Sequence, residues 1–147
     1  MQGKTNRTIN LTSHPVGLPT HSDLQQVVRP IPQLKDGEVL LRNTYVSVDP
    51  YMRGNLIDFA LLKFSNMFLG RMRKESPIAF TLNEPIFAAG AGVVEESKRG
   101  AFAPGDLIVG SPVLWGDFTI LTEQQAASFK KTSDPETALS STVSLKV

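Results

Sequence analysis

Apolar positions in this chain recur mostly every second residue, in short runs cut by Gly and Pro. Alternation at period two is the mark of β-strands with one or both faces covered. From Arg7 to Ser13, Ile9 and Leu11 fall on one parity, which predicts a first strand with one buried face. His14-Pro15-Val16-Gly17-Leu18-Pro19 breaks that run into a loop. Leu24-Gln25-Gln26-Val27-Val28 reads as a strand or a helical turn, and its β-branched end favours the strand; Pro30 and Pro32 stop it. Lys35-Asp36-Gly37 signals a turn, and Asp-Gly between two apolar runs is a hairpin cue.

Glu38 to Val48 is the strongest strand reading. Val39, Leu41 and Tyr45 share one face, while Leu40, Val46 and Val48 share the other. Apolar groups on both faces suit a strand inside a barrel or between layers. Pro50 lacks an N–H and is expected to end the ladder. The turn that follows concentrates polar chemistry in Asp49-Pro50-Tyr51-Met52-Arg53. Leu56 to Leu69 is apolar enough for a short helix, with Ile57, Ala60, Leu61 and Phe64 at helical spacing. The basic run Arg71, Arg73 and Lys74 reads as a solvated loop, with a cofactor-phosphate contact as the alternative.

Strand patterning returns with Ile86-Phe87-Ala88-Ala89-Gly90-Ala91-Gly92-Val93-Val94, whose glycines let another backbone or a ligand come close. Gly90-x-Gly92 is no dinucleotide fingerprint, because Glu95 stands where a third glycine belongs. Arg99-Gly100 and Ala103-Pro104-Gly105-Asp106 are turns, the second launching Leu107-Ile108-Val109-Gly110. Thr119-Ile120-Leu121 follows as a last strand, and Ser133-Asp134-Pro135-Glu136 looks like a helix start. Short strands, frequent Gly/Pro turns and few helices predict a mainly β unit, a small irregular barrel or sandwich.

Composition narrows the class. The chain has 147 residues, enough for one domain that buries roughly 70% of its unfolded surface. A hydrophobic share of 41% with 20% charged residues argues against disorder. A net charge of +1 and 7% aromatics provide neither a basic groove nor a stacking platform for nucleic acid. The absence of cysteine excludes disulfides and thiolate metal sites, and fits a cytoplasmic protein. The first ten residues, MQGKTNRTIN, carry no apolar signal-peptide stretch, so Asn6-Arg7-Thr8 and Asn10-Leu11-Thr12 read as chance glycosylation matches. No apolar run is long enough to span a bilayer.

Little of the usual catalytic vocabulary is present. His14 and His21, with Asp23 nearby, read as solvated loop residues rather than metal ligands, and no metal site is expected. No HExxH, GxSxG or P-loop occurs, and Ser47 and Ser97 have no histidine near them. Tyr51 has two readings: a phenol on a rigid turn that donates to a substrate oxygen, or an amphipathic core residue. Trp115 is either core filler or the wall of an apolar ligand pocket. Arg53 is placed to pair locally with Asp49.

Taken together, these motifs resemble a known family. Val46-Ser47-Val48-Asp49-Pro50-Tyr51-Met52-Arg53-Gly54 is similar to the DPYMR stretch of the zinc-independent medium-chain reductases, the branch of alkenal reductases and prostaglandin reductases. Pro15 to Pro19 resembles its GxP loop, Gly37 to Asn43 its GEVLVRN strand, Gly105 to Gly110 its GDLVxG turn, and Trp115-x-x-Phe118 its Wxx[YF] segment. The resemblance covers roughly residues 5 to 140. It implies a GroES-like irregular β-barrel with a few short helices, over residues 1–132, as the substrate-side half of an NADPH-dependent oxidoreductase. The reaction it implies reduces the C=C bond of α,β-unsaturated aldehydes and ketones. Tyr51, Met52 and Trp115 would line the substrate pocket, with Tyr51 as the catalytic candidate; Asp49, Pro50 and Arg53 would touch cofactor. The implied partner is a small enal or enone, with no nucleic acid and no membrane, and a homodimer in the full-length family.

The sequence departs from that family in three places. The Rossmann domain that carries most of the NADPH contacts is absent from these residues, and residues 133–147 read as the truncated start of a link to it. The insert from Leu56 to Phe80 is unlike the family, and Ala89 to Gly92 lacks its usual aromatic. The chain is therefore expected to be an N-terminal fragment, inactive alone, or a non-catalytic GroES-like module acting through protein association.

Overall fold

The computed structural model describes residues 3–50, 52, 56 and 80–135. The expected helix over Leu56 to Leu69 and the Arg71-Arg73-Lys74 run lie, apart from Leu56, outside the described residues. The elements are β1 (Thr5–Leu11), β2 (Leu24–Pro30), β3 (Val39–Val46), β4 (Phe87–Ser97), β5 (Leu107–Leu114), β6 (Phe118–Leu121), the short helix α1 (Glu123–Ala126) and β7 (Lys130–Lys131). β1 and β2 form a two-stranded ribbon, and the other strands form a five-stranded sheet in the order β6-β3-β4-β5-β7. Every pairing is antiparallel. This is the mainly β, GroES-like architecture expected from the sequence.

The ribbon is sewn to the rest through β1. Ile9 N–H donates to the Trp115 carbonyl at 2.7 Å, and Ile86 N–H donates to the Ile9 carbonyl at 3.0 Å. Single bridges join Thr8 to Gly116 and Asn10 to Pro85. The expectation of one buried face on β1 needs correction. Thr8 and Asn10, on the polar parity, are also buried. They are tolerated there because Thr8 Oγ1 donates to Asn10 Oδ1 at 2.6 Å and Asn10 Nδ2 donates to the Asn83 carbonyl at 3.1 Å.

The Lys35-Asp36-Gly37 turn forms but makes no hairpin. β2 pairs with β1 across the His14–Pro19 loop, while β3 pairs with β4 and β6, far along the chain. The predicted parity of β3 also breaks. An extra residue between Asn43 and Tyr45 shifts the register against β4. Such a bulge flips the side chains beyond it. Val46 therefore packs with Val39 and Leu41, while Tyr45 is 42% exposed. The β3 ladder stops at Val46, before Pro50, and β2 runs through Pro30 at the ribbon's edge.

Two glycines of β4 behave as their small size predicts. A Cβ on Gly90 would lie 2.4 Å from the Tyr45 carbonyl oxygen, and one on Gly92 would lie 2.4 Å from that of Arg42. Side chains at these points would push β3 away. Beyond β6, Thr122 caps α1 with a reciprocal Thr122/Gln125 capping box, a T-x-x-Q signal present but not used in the sequence reading. β7 follows, so β6 is not the last strand.

Two apolar clusters result among the described residues. One gathers Val39, Leu41, Val94, Ile108, Val113, Leu121, Ala126 and Phe129 between the strands and α1. The other gathers Leu11, Met52, Leu56, Phe80, Ile86 and Ala88, with Leu24 and Trp115 packed against it. Phe80 meets Phe87 edge-on at 5.2 Å.

Candidate functional site

Met52, Leu56, Phe80 and Ile86 of the second cluster line a cavity of about 260 Å³. The sequence after β3 builds one wall. Ser47 N–H donates to the Ala89 carbonyl at 2.8 Å, the final contact with β4, and the chain then turns at Asp49-Pro50. Aspartate followed by proline is a favourable opening for such a turn. Asp49 Oδ2 accepts the Ser47 hydroxyl at 2.6 Å, and the Asp49 carbonyl accepts Met52 N–H at 3.0 Å. The Met52 carbonyl then accepts Leu56 N–H at 3.2 Å, which buries the Met52 side chain against Leu56.

Trp115, in the link between β5 and β6, also lines the cavity. Three devices fix that link. Asn43 Nδ2 donates to the carbonyls of Leu114 and Gly116, at 2.9 and 2.8 Å, on either side of the tryptophan. Asn43 Oδ1 accepts from Thr119 Oγ1 at 2.9 Å, which completes the amide's bonding. Trp115 N–H donates to the Ile86 carbonyl at 2.9 Å. Finally, the Arg7 guanidinium grips Asp117 through two bonds of 2.8 and 3.0 Å. That grip holds the Asp117 carboxyl below, and Arg7 above, their ordinary ranges.

The structure thus brings Asp49, Pro50, Met52 and Trp115 onto one pocket, closed by Leu24, Phe80 and Ile86. Tyr51 and Arg53 lie outside the described residues. Asn43, Leu24 and Ile86 were not singled out from sequence. Asn43 sits in the GEVLLRN run, but its partners lie more than seventy residues away, so no local signal could reveal its role.

The chemistry of this lining is apolar. Asp49 is the one ionisable side chain among the described lining residues. None of the described lining residues is basic, so they offer an apolar surface and no counter-charge for the phosphates of a dinucleotide. His14 is used structurally, with Nδ1 2.9 Å from the Leu56 carbonyl oxygen. Asp23 accepts from Ser13, from the Thr20 hydroxyl and from the Thr20 backbone N–H. Among the described residues no group of three or more acidic or histidine side chains is arranged to hold a metal, and no helix is long and apolar enough to cross a membrane.

Comparison with known proteins agrees with this architecture. Residues 7–61 match the family described as the N-terminal domain of oxidoreductase. A Bacillus subtilis (strain 168) protein named as an NADP-dependent oxidoreductase, YfmJ, is 31% identical over 132 residues, which is 88% of this chain and 34% of the relative. Prostaglandin reductase 1 of Bos taurus is 36% identical over 110 residues, 75% of this chain and 27% of the relative. The crystal structure of CurA from Vibrio vulnificus superposes with a TM-score of 0.72 at 28% identity, covering 91% of this chain and 35% of that one. CurA has also been crystallised with NADPH. The chain spans about a third of the length of these relatives. Its sequence and its fold together show that it belongs to the N-terminal domain family of the medium-chain type of oxidoreductase.

Proposed function

We propose that this chain is the substrate-side half of an NADPH-dependent reductase that saturates the C=C bond of α,β-unsaturated aldehydes and ketones. The observation that carries the reading is the convergence of Asp49, Pro50 and Met52 with Trp115 on one apolar pocket. In this reading NADPH supplies the hydride, held mainly by a dinucleotide-binding domain to which residues 133–147 begin the link. The pocket's own task is to seat the enone, keep water from its β-carbon and present its carbonyl to hydrogen-bond donors. This reading assigns Met52 and Trp115 to the substrate, Tyr51 to a donor role, and Asp49, Pro50 and Arg53 to cofactor contacts.

NADPH oxidation in the presence of a medium-chain enone tests this. The chain alone is expected to show no enone-dependent turnover. A chimera joining it to the remainder of YfmJ is expected to show turnover. Turnover by the chain alone, or a folded chimera that binds NADPH and reduces no enone, contradicts the proposal.

A second reading has one observation in its favour. Val16, Leu18 and Val48 are 99%, 86% and 77% exposed. Apolar side chains so open suit a module that associates with another protein surface. Light scattering separates the two readings: a monomer at high concentration counts against association.

A further inference from the structure

β1 has two faces, and each borders a different space. Ile9 and Leu11 belong to the Met52 cluster. Asn6 and Thr8, on the other parity, project from the opposite face of the strand. Both line a second, half-open cavity of about 120 Å³, which shares no described lining residue with the first. Neighbours in sequence part between the two: Pro85 and Leu114 line the second cavity, Ile86 and Trp115 the first. The apolar walls of the second include Pro30, Pro32, Pro85, Leu114, Phe118 and Ile120. Its two uncharged polar side chains are already engaged. Asn6 Nδ2 donates to the Phe118 carbonyl at 2.8 Å and Asn6 Oδ1 accepts Phe118 N–H at 2.9 Å, while the Thr8 hydroxyl donates to Asn10. Arg29 is different. It stands directly across from Asn6 in the β1–β2 register, and residues so paired present their side chains on the same face of a ribbon. Arg29 is exposed and, among the described residues, forms no ion pair. No acidic residue occurs in the described lining. The first cavity has the reverse character, since its one ionisable described residue is Asp49.

We infer that this second cavity is a binding site for a small aromatic carboxylate. An apolar cavity of about 150 Å³ is enough to admit a benzene ring, and this one is of that order. Proline rings and the Phe118 side chain supply flat or edge-on apolar contacts for such a ring. A carboxylate on the ring, left at the open side, meets an unopposed guanidinium whose two-pronged N–H geometry matches its two oxygens. An uncharged ring of the same shape keeps the apolar contacts and loses the ion pair. A cationic one is repelled by Arg29 and finds no acid in the described lining. The site stands whether or not the first cavity seats an enone.

The full 147-residue chain is titrated separately with benzoate, benzyl alcohol and benzylammonium, with methyl signals followed by NMR. Benzoate is expected to give saturable shifts at the Leu114 and Ile120 methyls and to leave those of Met52 and Ile86 in place. Benzyl alcohol should shift the same methyls with weaker affinity, and benzylammonium should shift neither. Added salt should weaken benzoate and spare benzyl alcohol. Arg29→Gln changes an exposed side chain, so the fold should survive. In that variant benzoate affinity should fall about 5- to 10-fold with benzyl alcohol affinity unchanged. Four results would each overturn the assignment. Benzoate could shift nothing at tens of millimolar, or shift Met52 and Ile86 instead. The three probes could bind the unaltered chain alike, or Arg29→Gln could leave benzoate affinity where it was.

Discussion

The cluster around Leu41 and the cluster around Met52 use similar side chains and close in different ways. The first is enclosed by strands: β3, β4, β5 and β6 supply its walls, and α1 with Phe129 covers its end. The second takes Leu11, Ile86 and Ala88 from in and around the strands, but Met52, Leu56 and Phe80 come from the segments between β3 and β4. Strand-built walls interlock through ladder hydrogen bonds and leave little space. Walls assembled from turns need not fill their interior, and here they leave a cavity. One cluster holds the fold, and the other lines the cavity proposed as the site.

Substitutions can break this division, beginning with the largest effect. Gly92→Ala puts a Cβ against the Arg42 carbonyl and the Leu41 side chain, and backbone cannot yield as a side chain can. It should cost about 3 kcal/mol or more in urea unfolding. Leu121→Ala opens a cavity in the strand-enclosed cluster and should cost about 3 kcal/mol with enone affinity unchanged. Met52→Ala should behave in reverse, costing about 2 kcal/mol and weakening enone binding measured by titration. Asn43→Ala releases the carbonyls of Leu114 and Gly116. A loss of about 2 kcal/mol is expected, with broadening of the single indole signal as Trp115 loosens.

The smallest effect concerns acid. Asp117 is held below its ordinary range first by its side-chain bond to Arg7, Glu95 first by its bond to Lys4, and Asp106 first by the Ala103 N–H. Each group binds fewer protons folded than unfolded in the acid range. Their contribution is therefore complete above the unfolded carboxylate pKa, near pH 4, and fades as pH falls through the lower folded values. Melting temperature should decline below about pH 4, and Asp117→Asn should flatten part of that decline. These pairs are largely exposed, so high salt should shrink the effect.

The strands around Ile9, Leu41, Val94 and Ile108 were legible because alternation and Gly/Pro punctuation are local properties. So was the close approach at Gly90 and Gly92, since only a missing Cβ permits it. The strand partners were not legible. Asp36-Gly37 has the chemistry of a hairpin, yet β3 finds its neighbours some fifty to eighty residues on, where contact decides and local sequence does not. The bulge before Tyr45 likewise reversed a face that pure alternation had assigned. For the site, Asp49, Pro50, Met52 and Trp115 were singled out in the sequence, by turn chemistry and by family resemblance. Their convergence and the clamp by Asn43 emerge only from the folded chain.

The central claim is that the turn-closed cluster is the ligand pocket and the strand-enclosed cluster is not. Methyl chemical-shift mapping with an enone tests it most directly. The account predicts saturable shifts at Leu24 and Ile86, with Ile108 and Leu121 unmoved. Shifts centred on Ile108 and Leu121, or scattered over both clusters without saturation, would contradict it.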